Sequence, residues 1–255
     1  MNTFNARTAR PALALLCVAA CVALGSCGGS FCVGLNGCTG TVVPPNVTLA
    51  GTAATGRALA SAAVSVNCAQ GAGSTLSDGG GNYSITLGAT LPCVLTAVSG
   101  NTTLHSVAFA GGTFNVTPQT DLLLVYLAGQ LNTTEAGLLA GFQSNAAFAQ
   151  VLANQSDVLA AQAAVVANLQ QRYAVTLTVP AFLTTRFVVG QPGVDSDLEA
   201  LATAGAIDAN GMPSAAAVSL LATAGAAHPL ATASPAPMPS SGGSSGTSGA
   251  SGGMM

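Results

Sequence analysis

Ser77-Asp78-Gly79-Gly80-Gly81-Asn82-Tyr83-Ser84-Ile85-Thr86-Leu87 is the stretch whose reading decides the fold. Its first half carries turn chemistry. A short Asp carboxylate accepts backbone N–H groups a few residues on, and Gly81 can take a positive φ without steric cost. Its second half alternates, so Tyr83, Ile85 and Leu87 share one face and would point to a core. The stretch therefore reads as a turn feeding a half-buried strand, with Thr75–Ser77 as the opposite arm of a hairpin. Working outward, Val/Thr/Leu runs broken by Gly, Asn and Asp recur at Val47–Thr52, Ala62–Cys68, Val94–Val98, Thr103–Phe109 and Thr113–Val116. That makes roughly seven short strands, as a β-sandwich needs, and places a β module at residues 47–127.

Leu49-Ala50-Gly51-Thr52, then Leu59 with Ala62-Ala63-Val64-Ser65-Val66, then Asp78 and Gly81-Asn82-Tyr83-Ser84-Ile85, resemble carboxypeptidase regulatory-like domains. The resemblance spans about 80 residues and implies an Ig/transthyretin-like seven-stranded sandwich. In that family the module is usually a non-catalytic accessory or binding unit. The matching positions are turn and core positions, so the resemblance implies a fold and no activity.

Beyond Thr117-Pro118-Gln119-Thr120-Asp121 the pattern changes. Leu122–Leu127 is an apolar run that reads equally as a last strand or a buried helix. Residues 128–230 then read as a helical region, which makes the fold class α+β. Thr133-Thr134-Glu135 starts a helix with Leu138, Leu139 and Phe142 inside, and Asn145–Asn154 forms a second with Phe148, Val151 and Leu152. Ser156-Asp157 caps a third running to about Arg172, with Leu159, Ala163, Val166, Leu169 and Tyr173 on one stripe. Asp208-Ala209-Asn210-Gly211 reads as a turn and Ser214–Ala224 as a last helix. The Ser/Gly-rich tail, 231–255, reads as disordered. Its Gly242-Gly243-Ser244-Ser245-Gly246 spells a nucleophile elbow but lacks the flanking strand and helix that such an elbow requires.

At the other end, residues 1–26 have the parts of an export signal: Arg7 and Arg10, an apolar stretch from Pro11 to Leu24, then small residues. Leu24-Gly25-Ser26-Cys27 resembles the lipobox of bacterial lipoproteins, which implies cleavage and lipidation at Cys27. Val18-Ala19-Ala20-Cys21 fits less well, because it shortens the apolar stretch. Gly28, in place of the Asp that retains many such proteins at the inner membrane, implies the outer membrane. Residues 27–46, Gly-rich and ending in Pro44-Pro45, read as a tether. Of the seven cysteines, Cys17 and Cys21 leave with the signal and Cys27 carries lipid. Cys32, Cys38, Cys68 and Cys93 remain, an even set that suggests disulfides in an exported chain. Three pairings are open. Cys32–Cys38 and Cys68–Cys93 are preferred because they join neighbours within one segment.

Charged residues are only 5% of the chain, against a typical value of about 25%. All five basic residues are arginines, so a phosphate-loop lysine, a kinase lysine and a Schiff-base lysine are excluded. Once the signal is removed, Arg57, Arg172 and Arg186 face eight carboxylates, a balance that argues against nucleic acid as a partner. Asp78 and Asn82 offer too few oxygens for calcium and read as a turn cap. No Cys-x-x-Cys supports zinc, and His105 and His228 lie far apart, so neither a metal nor a cofactor is expected. His105 reads as a lone strand histidine. Asp195, Asp197 and Glu199 open a helix, where acids commonly complement the dipole. The expected function is a non-catalytic structural or binding role at the cell envelope, anchored to the bilayer through Cys27, with a glycan or protein partner. The alternatives are an envelope hydrolase using Asp195, Asp197 or His105, and a secreted protein without lipid.

Overall fold

A computed structural model describes residues 43–230. The expectations for the signal, Cys27, the Cys32–Cys38 pair and the tail lie outside the described residues. So does most of the tether.

The described chain is mixed α+β, with seven strands in two sheets and six helices. The strands are β1 (Asn46–Thr52), β2 (Ala63–Gln70), β3 (Ala72–Leu76), β4 (Asn82–Gly88), β5 (Thr90–Ser99), β6 (Thr102–Ala108) and β7 (Gly112–Thr113). One sheet has the order β4-β1-β7, with β1 antiparallel to β4 and parallel to β7. The other has the order β3-β2-β5-β6 and is antiparallel throughout. Alternation builds both. Val64, Val66 and Cys68 of β2 are buried and the residues between them are more exposed, while Tyr83 is buried and Ile85 and Leu87 are half-buried on β4. The Tyr83 hydroxyl donates to the Phe114 carbonyl, which satisfies its polar end inside the core.

One correction concerns the stretch that decided the fold. Asp78–Asn82 does not close a hairpin. β3 pairs with β2 and β4 pairs with β1, so the turn carries the chain from one sheet to the other. The turn chemistry itself is as expected. Asp78 Oδ1 accepts from the Gly80 and Asn82 N–H groups at 2.8 Å each, and Gly81 has φ +81°. These backbone bonds, led by that from Asn82, hold the Asp78 carboxyl below its ordinary range.

The helices are α1 (Pro118–Gln130), α2 (Glu135–Gly141), α3 (Ala146–Ala153), α4 (Gln155–Tyr173), α5 (Val194–Thr203) and α6 (Ala215–Ala226). Leu122–Leu127 is thus helical, and the expected division after Leu127 falls within α1. Thr117 caps this helix reciprocally with Thr120, and Pro118 stands in the first turn, where a missing N–H costs nothing. All of α1 up to Gly129 is buried. It packs on β6, α2, α4 and α6, and the buried residues of sheets and helices form one continuous core. Residues 43–230 lie within one compact unit.

Two further readings shift. Asn154, not Ser156-Asp157, caps α4, accepting from the Ser156 and Asp157 N–H groups. The buried stripe of α4 is Val158, Ala161, Gln162, Val165, Val166 and Leu169, which leaves Ala163 exposed. Cys68 and Cys93 are bonded to one another and face each other across β2 and β5, as expected. No helix among the described residues is long and apolar enough to cross a membrane.

Candidate functional site

β6 is the edge of its sheet, so one side of its backbone lacks a strand partner. An unpaired edge must be covered, and the start of α1 covers this one. The His105 N–H donates to Asp121 Oδ1 at 2.8 Å, and the Thr120 hydroxyl donates to the His105 carbonyl at 2.8 Å. Further along, the Thr102 hydroxyl donates to the Asn210 carbonyl, which ties the same edge to the Asp208 turn.

The covered edge brings three titratable side chains together. His105 Nδ1 lies 2.8 Å from Asp121 Oδ1 and 3.4 Å from Glu135 Oε1. Asp121 is buried, while the side chains of His105 and Glu135 each keep 23% of their surface exposed. Glu135 Oε1 is itself shut off from solvent and has no hydrogen-bond partner. His105 is therefore not the lone histidine expected from sequence. Burial pushes its pKa down, but the hydrogen bond to Asp121 and the nearby charges of Asp121 and Glu135 outweigh this and raise it to about 9. Burial raises the Glu135 carboxyl, as does the Asp121 charge, and His105 opposes them.

This arrangement makes stability depend on pH. His105 holds its proton more tightly folded than unfolded, so its contribution is complete below pH 6.5 and lost as the pH rises towards 9. Discounted for partial exposure, the loss is on the order of 1 kcal/mol. Urea unfolding in a chelating buffer should show this decline, and His105→Gln should flatten it across that window.

Two of the acids suspected from sequence, Asp195 and Asp197, accept hydrogen bonds from the chain before α5. Asp197 Oδ1 accepts from the Thr178 N–H and hydroxyl, and Oδ2 from the Val179 N–H, all within 2.9 Å. Asp195 Oδ2 accepts from the Gly190 N–H at 2.7 Å, and its Oδ1 is buried without a partner. Both side chains are buried and staple the preceding loop to the first turn of α5, a fuller role than complementing a dipole. Asp197→Ala would remove the shared acceptor of the Thr178 and Val179 N–H groups and should cost about 2 kcal/mol in urea unfolding. Glu199, one turn on from Asp195, is exposed and separate from them.

Glu199 instead lines an open groove of about 970 Å³ with Thr55, Gly56, Arg57, Thr203 and Asn210. Arg57 is exposed and makes no ion pair among the described residues. The groove holds polar groups and charges of both signs, but no histidine, serine or cysteine that could act as a nucleophile with a base.

Asp121 and Glu135 were missed in the sequence because each stands in the first turn of a helix, where an acid already has a local explanation. The one available signal was a histidine in a strand otherwise built of Thr, Ser and apolar residues. In comparisons with known proteins, no family model matches the chain, and no curated protein or solved structure matches it either.

Proposed function

We propose that this chain is an exported bacterial lipoprotein, lipidated at Cys27, whose folded body is a non-catalytic binding module held at the cell envelope, at the outer membrane. The proposal includes a transthyretin-like identity for the strand-rich part, on the resemblance of its turn and core residues, and it includes no nucleic-acid partner. The observation that carries the binding reading is the groove beside Arg57. It is an open groove of about 970 Å³ whose lining mixes apolar side chains with polar groups and holds no histidine, serine or cysteine. Charges of both signs, with the exposed polar groups of the Asp208 turn, suit a polar segment of a protein partner. Asp195 and Asp197 are occupied by backbone N–H groups, which supports binding over hydrolysis.

The anchor is tested by fractionating cells that express the full chain. The wild type should sediment with membranes and have the intact mass of Cys27–Met255 plus acyl chains, and Cys27→Ala should remain soluble or retain its signal. A soluble wild type of unmodified mass would sink the lipoprotein reading. The groove is tested by crosslinking in intact envelopes. A partner captured from position 203 should be lost in Arg57→Glu, and capture that ignores this charge reversal would place binding elsewhere.

A further inference from the structure

His105 Nδ1 faces two carboxylate oxygens and can offer them a single proton. Asp121 Oδ1 takes that hydrogen bond, and Glu135 Oε1 is left buried without one. One imidazole nitrogen and two carboxylate oxygens, all within 4.8 Å of one another, converge from three separate elements, β6, α1 and α2. A proton serves two of these three atoms. A divalent cation can serve all three at once, and the partial exposure of His105 and Glu135 leaves room for water to complete its shell.

From this convergence we infer that His105, Asp121 and Glu135 form a divalent transition-metal site that clamps the sheet edge to α1 and α2. The ion takes the place of the proton on Nδ1, which leaves to solvent; it bonds to the two carboxylate oxygens as it gives up waters of its own shell, and no other covalent bond of the protein changes. The imidazole ligand selects against magnesium and calcium, which prefer all-oxygen shells, and suits zinc or manganese. The backbone bond from the His105 N–H to Asp121 Oδ1 would survive binding and hold that carboxylate in place. The role is structural, because the three ligands tie a strand to two helices and none of them lines the groove beside Arg57. The site is independent of the proposed partner binding.

The test is thermal unfolding of the full-length protein, followed by circular dichroism because the chain has no Trp. Samples are stripped with chelator, dialysed, and measured with and without Zn²⁺ or Mn²⁺. At about a hundredfold excess over Kd, the midpoint should rise by roughly 5 °C or more. Glu135→Gln keeps the size and a polar tip but loses the charge, and it should weaken metal binding at least tenfold in a titration of the same shift. His228→Asn, which alters the other histidine, should respond as wild type. A metal-induced rise of equal size and midpoint in Glu135→Gln would place the ion elsewhere, for example on cysteines, and overturn the assignment. No rise with either metal in the wild type would leave the cluster as an ion network held by protons alone, and would also overturn it.

Discussion

Gly225→Val should destabilise the protein by about 3 kcal/mol or more, and repacking side chains should not rescue it, since the obstacle is backbone. α1 and α6 cross with their backbones almost touching. A Cβ at Gly225 would stand 2.2 Å from the Tyr126 carbonyl oxygen, and one at Gly129 would stand 2.5 Å from that of Ala222. The two glycines let each helix seat against the other, and a side chain at either position forces the helices apart. Because α1 is buried on all sides, its displacement would disturb β6, α2 and α4 as well. Urea unfolding of Gly225→Val, with Gly79→Ala as a control at a position with open space around it, checks this. The control should stay within about 0.5 kcal/mol of wild type.

Replacing Cys68 and Cys93 together by Ala should cost about 3 kcal/mol. The bond closes a loop across a sequence separation of 25, and its loss returns that loop's freedom to the unfolded chain. Both cysteines are fully buried in the core, so the lost sulfur packing adds to the effect. The change should be seen as a lower urea midpoint. A smaller drop should appear when the wild type is unfolded under reducing conditions, which open the loop but leave both sulfurs in the core, and a single Cys→Ala should fall between the two.

The strands could be read from the sequence because their residues alternate. Val64-Ser65-Val66 and Tyr83-Ser84-Ile85 each present one face to the core, and period two survives wherever one face is more exposed than the other. The partners of those strands could not be read. Asp78 and Gly81 specify a turn, and a turn has the same local chemistry whether the chain folds back on its neighbour or crosses to a second sheet. α1 was illegible for the opposite reason. Every face from Pro118 to Gly129 is buried, so there is no polar face to reveal a helical period, and Leu122–Leu127 could not be told from a strand.

The candidate metal site shows the same limit at a longer range. His105 is 16 residues from Asp121 and belongs to a different element from either acid. Only the docking of α1 along the β6 edge makes them neighbours, and that docking is a property of the core. The staples that hold the loop before α5 were half visible. Asp195 and Asp197 could be recognised as helix-start acids, but not as acceptors for Gly190, Thr178 and Val179.

The central structural claim is that sheets and helices form one cooperative body with α1 at its centre. Native-state amide hydrogen exchange tests it most directly. The amides of Leu122–Leu127 should exchange only through global unfolding, at the same free energy as the best-protected amides of β2 and β5. If α1 and the helices after it exchanged at a clearly lower free energy while the strands stayed protected, residues 47–117 would be an independent domain and this account would be contradicted.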